Sequence, residues 1–339
     1  MRLCICGGGT GGHLMIAEAL LEVAVSSGHE VIFIGSKSGQ DQKYFKNDSR
    51  FINVYFLESS GVVNKKGLGK IKSLLAIIKA VFSARKLLNK HKIDAVYSVG
   101  GFSAAPAAFA AISKSIPLFI HEQNAVIGKL NKILKPFAKS FISAYEKDSP
   151  IKGYPVKQIF FDTAHVRDEI KTIIFLGGSQ GAKAINDLAI SVVPKLRNLG
   201  IHVIHQCGEK DYKRVQNAYD MLGIDVELYG FTKEIDTLIS RADLAVSRAG
   251  ASTLWELCSN GVVAFFIPFP YAAADHQYHN ASYIVENNLG WCHREGEDLK
   301  TILLSIIDED IKDKSTKLLS LNQSDVAKQM IIEVQKALA

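Results

Sequence analysis

Long apolar runs are missing from this sequence. No stretch of about 18 consecutive apolar residues occurs among the 339 residues, so we expect no helix that spans a membrane. The chain passes from one arginine directly into an apolar strand and a glycine-rich turn, which argues against a cleavable signal peptide.

Cysteine is also scarce. The five cysteines, at positions 4, 6, 207, 258 and 292, are odd in number and include no C-x-x-C pair. This pattern suits neither a disulfide framework nor a zinc site, and it predicts reduced, mostly buried thiols. His276 and His279 are close in sequence, but zinc sites usually bring three or four ligands, and no further pair of suitable spacing lies nearby. We therefore predict no metal site.

Two nucleotide-binding signatures are absent or incomplete. No G-x-x-x-x-G-K-[ST] motif occurs, which excludes a P-loop. The stretch from Gly7 to Gly12 fits G-x-G-x-x-G, but the second predicted strand ends in Gly35-Ser-Lys-Ser38, without the carboxylate that would bind a ribose. An NADP-dependent oxidoreductase that uses Lys37 stays open as an alternative.

The sequence does contain a regular alternation of strand and helix patterns. Its composition, 47% hydrophobic and 22% charged, is ordinary for a folded protein, and its length favours two domains. Short apolar runs that read as buried strands are separated mostly by helical spacing; they are Leu3–Cys6, Glu30–Ile34, Ala95–Ser98, Pro117–Ile120, Ile173–Leu176, His202–Gln206, Leu244–Ser247 and Ala264–Ile267. This pattern predicts an α/β fold with parallel sheets covered on both faces.

The two halves of the chain resemble each other. The strand LCIC leads into GGGTGGHL at Gly7, and the strand TIIFL leads into GGSQGAKAIN at Gly177, an offset of 170 residues. Two Rossmann-like domains in tandem explain the repeat, and one large doubly wound sheet is the alternative. We predict a first domain over 1–155 and a second over 156–321, joined through the proline-containing segment Ser149–Pro155.

The glycine turns predict an anionic ligand. A glycine-rich turn into a helix presents main-chain N–H groups at the positive end of the helix dipole. The turn at Gly177 repeats this arrangement, and so does Ser247–Thr253, which runs into a helix that carries Glu256. Ligands of open α/β sheets bind beyond the carboxyl ends of the strands, so we expect one ligand between the two domains. Asp275 and Gln277 suit sugar hydroxyl groups.

Five motifs together resemble the MurG family of glycosyltransferases (glycosyltransferase family 28): GGGTGGH, HEQNAVIGKLNK, GGSQGAKAIN, SRAGASTLWEL and ADHQYHNA, in the family's order and over nearly the whole chain. The resemblance implies a GT-B fold, with two Rossmann-like parallel-sheet domains facing across a cleft and a last helix, about 322–339, that crosses back to the first domain. It implies inverting, metal-independent transfer of N-acetylglucosamine (GlcNAc) from UDP-GlcNAc to the C4 hydroxyl of MurNAc in lipid I, giving lipid II in peptidoglycan synthesis, without a cofactor.

Matching positions in these motifs imply roles for individual residues. On the donor side these are Thr10, Gly11 and Gly12 at the diphosphate or sugar, Asn124 at the sugar, Lys157 at the nucleotide, Ser179 at the diphosphate, Thr232 at the uracil, Ala251, Ser252, Thr253 and Glu256 around the nucleotide, and Gln277 at the GlcNAc hydroxyls. Around the acceptor they are His13, Glu122 and Asn186.

The chain departs from the family pattern at three positions. Ile16 stands where a proline is usual, Phe102 where a tyrosine is common, and Lys157 where the family has an arginine. Lysine keeps the charge of arginine but loses its bidentate fork, so the contact of Lys157 with the nucleotide is in question.

The chemistry requires a base, because the acceptor hydroxyl is a poor nucleophile. His13 is our choice, since the ordinary pKa of histidine, about 6.5, suits proton transfer near neutral pH. Glu122 is the rival base; alternatively it orients His13 or binds the acceptor. Loop amides and helix N-termini would stabilise the departing UDP in place of magnesium, and no D-x-D follows an apolar strand.

The region 59–93 lacks acidic residues and has nine basic ones. Leu68, Ile71, Leu74, Leu75, Ile78 and Phe82 form one helical stripe, and Lys72, Lys79, Lys86 and Lys90 fall on another. Such a helix can dock on anionic lipid, which predicts a peripheral enzyme at the cytoplasmic face of the bacterial inner membrane. The competing interpretation is a helix that packs its apolar stripe on the sheet. Sparse aromatic residues argue against nucleic acid, and cell-wall or division proteins are further expected partners.

Two more alternatives stay open. One is a GT-B transferase that uses another nucleotide sugar or another lipid acceptor. The other is a nucleotide-binding module without catalytic activity.

Overall fold

The computed structural model describes residues 1–59, 68–178 and 181–339, without the side chains of 68–72 and 74. The chain divides into two compact units, Met1–Lys157 with Ser324–Ala339, and Gln158–Gln323. In the described part of the chain, each unit contains one six-stranded sheet whose strand pairings are all parallel.

The first unit is built on the sheet β3-β2-β1-β4-β5-β6. Its strands are β1 Arg2–Cys6, β2 Glu30–Ser36, β3 Asn53–Leu57, β4 Ala95–Ser98, β5 Leu118–His121 and β6 Ser140–Ile142. The central strand β1 is buried from Leu3 to Cys6, as expected for a parallel strand with both faces covered.

The helices of the first unit cover this sheet. They are α1 Gly11–Ser26, α2 Asp41–Phe45, α3 Leu68–Lys90, α4 Ala105–Ile112, α5 Lys129–Leu134 and the last helix of the chain, α14 Val326–Leu338. Helix α14 packs against α1, and Met330, Ile331 and Val334 are buried there. Short 3₁₀ turns, Phe102–Ala104 and Lys135–Phe137, precede α4 and follow α5.

The second unit repeats this topology with the sheet β12-β11-β10-β7-β8-β9. Its strands are β7 Thr172–Leu176, β8 His202–Gln206, β9 Glu227–Tyr229, β10 Leu244–Ser247, β11 Val263–Phe266 and β12 Gly290–Cys292. Its helices are α6 Gln158–Asp162, α7 Lys183–Asn198, α8 Tyr212–Leu222, α9 Ile235–Ser240, α10 Ala251–Asn260, α11 His276–Glu286, α12 Leu299–Ile306 and α13 Lys312–Leu321. In both sheets the first strand of the unit lies between its second and fourth, so the two halves share one Rossmann-like order.

A buried arginine holds the start of the second unit to its helices. The Arg167 guanidinium donates hydrogen bonds to the carbonyl oxygens of Ala242, His165 and Ser240 and to both oxygens of Asn260. Burial lowers the pKa of Arg167 to about 10, which still leaves the group charged at neutral pH.

The segment predicted as a linker is folded into the first unit. Ile151, Tyr154 and Val156 are buried, and the Ser149 hydroxyl accepts a hydrogen bond from the Ser143 N–H at 3.0 Å. The units divide between Lys157 and Gln158. Proline and glycine therefore mark turns in a packed segment here.

Among the described residues, none of the helices combines the length and the apolar composition of a membrane span. The free cysteines are buried, apart from the half-buried Cys292, and burial raises the pKa of Cys6 and Cys292 to about 12.

We predict that Gly101→Ala destabilises the protein far more than Gly28→Ala. Both glycines have a φ of +76°, but a Cβ on Gly101 would collide with the carbonyl oxygen of Gly8, whereas one on Gly28 meets no atom within 4 Å. The Gly101 backbone, with a ψ of 166°, also lies in a region that is essentially reserved for glycine. We expect Gly28→Ala to cost about 1 kcal/mol and Gly101→Ala at least about 2 kcal/mol more. Urea unfolding of both variants measures the difference, and equal midpoints would contradict the packing described for Gly101.

Candidate active site

The first glycine turn packs chain against chain at the carboxyl ends of β1 and β4. The N–H groups of Gly7 and Gly8 donate to the carbonyl oxygens of Ile34 and Gly100, at 3.4 and 3.1 Å. The N–H of Gly9 donates to the buried Asp41 carboxylate at 2.5 Å. These amides are thus used within the unit, so an anion at this turn would meet the helix start instead, where first-turn N–H groups have no intrahelical partner.

His13 lies in the first turn of α1 and is held from two sides. Its Nδ1 is 2.8 Å from the Thr10 hydroxyl oxygen. The side-chain amide nitrogen of Gln123 lies 2.9 Å from Nε2 and 3.3 Å from Nδ1 of the same ring. Gly100 lies against the imidazole, because a Cβ there would come within 3.2 Å of Nε2. The half-buried ring therefore sits between the glycine turn and the segment that follows β5.

Glu122 organises that segment. Its Oε1 accepts the N–H of Asn124 at 3.0 Å, and its Oε2 accepts the N–H of Gly128 and the side-chain amide of Asn131, both at 2.9 Å. Glu122 as a whole is 3% exposed. Three donors on a buried carboxylate favour a role in positioning the loop before α5 over a role as the base.

His121 is a buried neutral neighbour of His13. Burial lowers the pKa of His121 to about 3, and the nearby charge of His13 acts in the same direction. Neither ring nitrogen has a hydrogen-bond partner among the described residues. The imidazole contacts the Tyr154 ring edge-on, with centroids 5.2 Å apart.

Three further predicted residues of the first unit have defined neighbours. The Gly11 backbone lies near the Tyr44 hydroxyl, and Gly12 follows it in the first turn of α1. Lys157 forms an ion pair with Glu18 of α1 at 3.0 Å, so its charge is engaged within this unit. Its contact with a nucleotide stays a prediction. Of the departures from the family pattern, Ile16 is fully buried in α1, and Phe102 packs against Gly9.

The second glycine turn is tied down by Gln206. The N–H of Gly178 donates to Gln206 Oε1 at 2.9 Å, and the Gln206 amide donates to the carbonyl oxygens of Gly178 and Gly230 at 3.2 and 2.9 Å. Ser179 lies outside the described residues, so its predicted contact with a diphosphate stays a prediction.

Asn186 lies beneath this turn in a buried network. Its side-chain amide donates to the Cys207 carbonyl oxygen at 3.0 Å and to Asp211 at 2.7 Å, and its Oδ1 lies 3.1 Å from His205 Nε2. Burial lowers the pKa of His205 to about 3, so this ring is neutral and donates to Asn186. The side chain of Asn186 is thus engaged inside the second unit, and its role toward an acceptor stays a prediction.

Helix α10 begins at the carboxyl end of β10 and carries the predicted nucleotide contacts. The Ser252 hydroxyl donates to Glu256 Oε1 at 2.8 Å, and both residues are 9% exposed. Ala251 is buried and Thr253 half-buried in the same first turn. Arg248, just before the helix, binds the carbonyl oxygens of Ile267 and Pro268 and joins the ends of β10 and β11.

The predicted sugar contact, Gln277, lies in the first turn of α11 and is tied to the loop after β11. Gln277 Oε1 accepts the N–H of Phe269 at 2.9 Å, and Asp275 pairs with Arg294 at 2.6 Å. Ala274 and Asp275 both have a φ of +52°, a left-handed conformation that is strained for residues other than glycine and that clusters at functional sites. Thr232 lies in the loop after β9, where its hydroxyl accepts the N–H of Glu234 at 3.0 Å.

Within the residues described, no group of three or more histidine, cysteine, aspartate or glutamate side chains is arranged to hold a metal ion. Three polar residues, Asp41, Gln123 and Gln206, contact the predicted site and were not singled out from the sequence. Gln206 ends β8, and Gln123 follows the last residue of β5 by two positions. Because ligands of such sheets bind at the carboxyl ends of the strands, polar residues directly after buried strands were the sequence signal that could have identified them.

Two Rossmann-like units with glycine turns at their strand ends define an α/β protein of the GT-B fold class. Models of the N-terminal and C-terminal domains of glycosyltransferase family 28 match residues 3–143 and 172–334. The chain belongs to glycosyltransferase family 28.

Curated relatives and a solved structure agree with this assignment. Over 338 residues, all of this chain and 99% of the relative, it is 64% identical to the UDP-N-acetylglucosamine--N-acetylmuramyl-(pentapeptide) pyrophosphoryl-undecaprenol N-acetylglucosamine transferase of Sulfurimonas denitrificans. The protein of the same name from Sulfurovum sp. is 51% identical over 97% of each chain. The crystal structure of Acinetobacter baumannii MurG matches with a TM-score of 0.80, at 28% identity and 99% coverage of both chains.

We predict that Glu122→Gln disorders the loop that Glu122 holds. The glutamine side chain has one acceptor oxygen, so its NH₂ group would face the N–H of Asn124 or of Gly128, each of which has a carboxylate partner in the wild type. The loss of that hydrogen bond costs about 1–3 kcal/mol. The melting temperature should fall together with turnover. Loss of turnover by a thousandfold at an unchanged melting temperature would instead identify Glu122 as the base.

Proposed function

We propose that this protein transfers GlcNAc from UDP-GlcNAc to the C4 hydroxyl of MurNAc in lipid I, giving lipid II, with inversion at the anomeric carbon and without a metal. The single observation that carries the proposal is the 64% identity, over the whole chain, to a relative named for this transfer. The first unit takes the acceptor and the second the donor in this proposal.

The contacts within the second unit support a nucleotide sugar as its ligand. Glu256 lies one turn into α10, with its carboxylate held by Ser252, and ribose hydroxyls are good donors to such a group. The start of α10 presents main-chain amides to a diphosphate, whereas the N–H groups of Gly177 and Gly178 are engaged by Gln206. Gln277 would take the GlcNAc hydroxyls and Thr232 the uracil.

His13 is the proposed base. It would accept the proton of the acceptor hydroxyl as that oxygen bonds to the anomeric carbon, and the bonding pair of the broken C–O bond leaves with UDP. General base catalysis of this kind contributes about 10²–10⁴-fold. Helix N-termini and loop amides would stabilise the charge on the leaving diphosphate, which is the part that magnesium plays in other transferases.

An exposed face of α3 supports docking on a membrane. Leu75, Ile78 and Phe82 are 60%, 46% and 63% exposed, whereas Ala80, Ala84 and Leu88 face the core. These three members of the apolar stripe are thus not packed on the sheet, which argues against the competing interpretation for them. At 100° per residue, the exposed Lys79 and Lys86 fall on the same face as Leu75 and Phe82, not on a separate one.

This mixed face fits an anionic bilayer. Apolar side chains enter the headgroup region while lysines contribute about 1 kcal/mol each at the surface. Lys72 also lies in α3, but its side chain is outside the described part. We propose on this basis a peripheral enzyme at the cytoplasmic face of the inner membrane, where lipid I and cell-wall or division proteins would be met.

A titration separates the proposal from its alternatives. Isothermal titration of UDP-GlcNAc, UDP-glucose and NADPH, with and without EDTA, should show tightest binding of UDP-GlcNAc, insensitive to EDTA. Preference for NADPH would favour an oxidoreductase, and preference for UDP-glucose another transferase. Turnover that requires magnesium after chelation would contradict the metal-independent mechanism.

We expect His13→Ala to cut turnover at least about a hundredfold while UDP still binds, because the variant loses the base but keeps the second unit intact. Steady-state rates with a lipid I analogue, together with calorimetry of UDP, measure both quantities. Wild-type turnover in this variant would remove His13 as the base.

The matched control is Glu256→Ala, which should weaken the binding of the donor instead of removing the base. We expect its donor KM to rise, since a ribose contact is lost, while the acceptor KM stays unchanged. A donor KM equal to that of the wild type would place the ribose elsewhere.

Charge reversal of Lys72, Lys79 and Lys86 to glutamate should release the protein from vesicles that contain phosphatidylglycerol. Activity on a water-soluble acceptor should persist, since the docking face carries none of the proposed catalytic residues. The control reverses three exposed basic residues of the second unit, Lys195, Arg197 and Lys213, and should leave cosedimentation with vesicles unchanged. Equal vesicle binding by both triple variants would place the docking surface outside α3.

A further inference from the structure

We propose that Gln123 is the positioning residue for His13, a neutral amide that partners the imidazole in both of its protonation states. This inference rests on the proposed function, in which His13 gains a proton in each turnover. Gln123 lies in the motif HEQNAVIGKLNK, and the motif by itself gives this side chain no role toward the base.

The contact covers both nitrogens of the ring. The Gln123 amide nitrogen lies 2.9 Å from Nε2 and 3.3 Å from Nδ1 of His13. The 2.9 Å distance is that of an ordinary hydrogen bond and the 3.3 Å distance is longer than usual, so the amide is bound mainly to Nε2. The amide thus restrains the Nε2 side of the imidazole, and the Thr10 hydroxyl, at 2.8 Å, fixes the Nδ1 side. When Nε2 takes a proton, the N–H donor of the amide must turn away from it.

The acceptor oxygen of the Gln123 side chain is the second observation. The residue is 8% exposed, and its Oε1 is buried without a hydrogen-bond partner among the described residues. A buried polar atom of this kind costs about 1–3 kcal/mol and calls for an explanation. His13 supplies one, because an imidazolium donates from both nitrogens and has no acceptor. Rotation of the amide about its last bond then exchanges the N–H donor for Oε1.

The backbone that carries Gln123 is fixed on both sides. His121 is buried at the end of β5, and the Glu122 carboxylate holds the following loop through Asn124, Gly128 and Asn131. Rotation of the Gln123 amide about its last bond requires no movement of this backbone. A rigid support with one rotatable group is what preorganised positioning requires.

The proton balance of the step is simple. The acceptor O–H bond breaks and its proton binds an imidazole nitrogen of His13, the acceptor oxygen bonds to the anomeric carbon, and UDP leaves with the electron pair of the broken bond. Gln123 neither gains nor loses a proton. Product release returns the proton to solvent, and the amide turns back to its donor orientation.

The titratable groups around His13 define the background of a pH experiment. The segment after β5 brings His121, which is neutral, and Glu122, whose oxygens are engaged by three donors. Helix α2 brings Asp41 and Tyr44 to the glycine turn. None of these changes in a variant at position 123, so a change in the pH profile reports on that position.

The test compares Gln123→Glu and Gln123→Met in steady-state assays from pH 5 to 9. Glutamate has the same size but only accepts, so it favours the imidazolium, and the acid limb of kcat/KM should move to higher pH by about one unit or more. Methionine keeps the length without hydrogen bonds, so kcat should fall about tenfold to a hundredfold with the donor KM within about twofold. An acid limb of Gln123→Glu that coincides with that of the wild type would overturn the proposal, as would wild-type kcat in Gln123→Met.

A second measurement covers a variant that folds poorly. If thermal unfolding shows that Gln123→Met is not native, an NMR titration of the His13 ring in wild type and Gln123→Glu decides: a shared midpoint overturns the proposal, and a higher midpoint in the variant supports it. Failure of the proposed function is a distinct result, since the wild type would then not turn over UDP-GlcNAc and a lipid I analogue at all.

Discussion

The close approach of two backbone turns, those that follow β1 and β4, is the constraint on which the first unit depends. Gly8 and Gly101 meet main chain to main chain, and Asp41 anchors the turn by accepting the Gly9 N–H. Side chains at these positions would force the turns apart. Because α1 starts directly after the first turn, the same contact sets the position of His13, and Gly100 leaves room for its ring.

Buried polar groups supply the precision at both sets of strand ends. In the first unit, one carboxylate, Glu122, holds three donors of the loop that carries Gln123. In the second unit, Gln206 accepts the N–H of Gly178 and donates to the carbonyl oxygens of Gly178 and Gly230. Unpaired groups of this kind are costly in a protein interior, so each satisfied network fixes its loop in one conformation. The two units thus hold their strand-end loops with different residues.

The separate roles that we propose for the two units follow from these contacts. Residues suited to proton transfer gather in the first unit around His13, and residues suited to nucleotide and sugar recognition gather in the second around Glu256 and Gln277. The exposed face of α3 adds a route to a lipid-linked acceptor, since its apolar side chains and lysines lie side by side.

The sequence by itself determined the two parallel sheets and their central strands, because strands buried on both faces, such as β1 and β7, are continuous apolar runs. It did not reveal β3, β6, β9 and β12, which are the edge strands of the two sheets, since partly exposed strands lack that signal. It also pointed to His13, Glu122 and Glu256 through local motifs. Only the tertiary structure decided what these residues touch. Gln123 meets His13 across 110 positions, and Lys157 meets Glu18 across 139. Side-chain partners depend on how distant parts of the chain come together rather than on spacing along it.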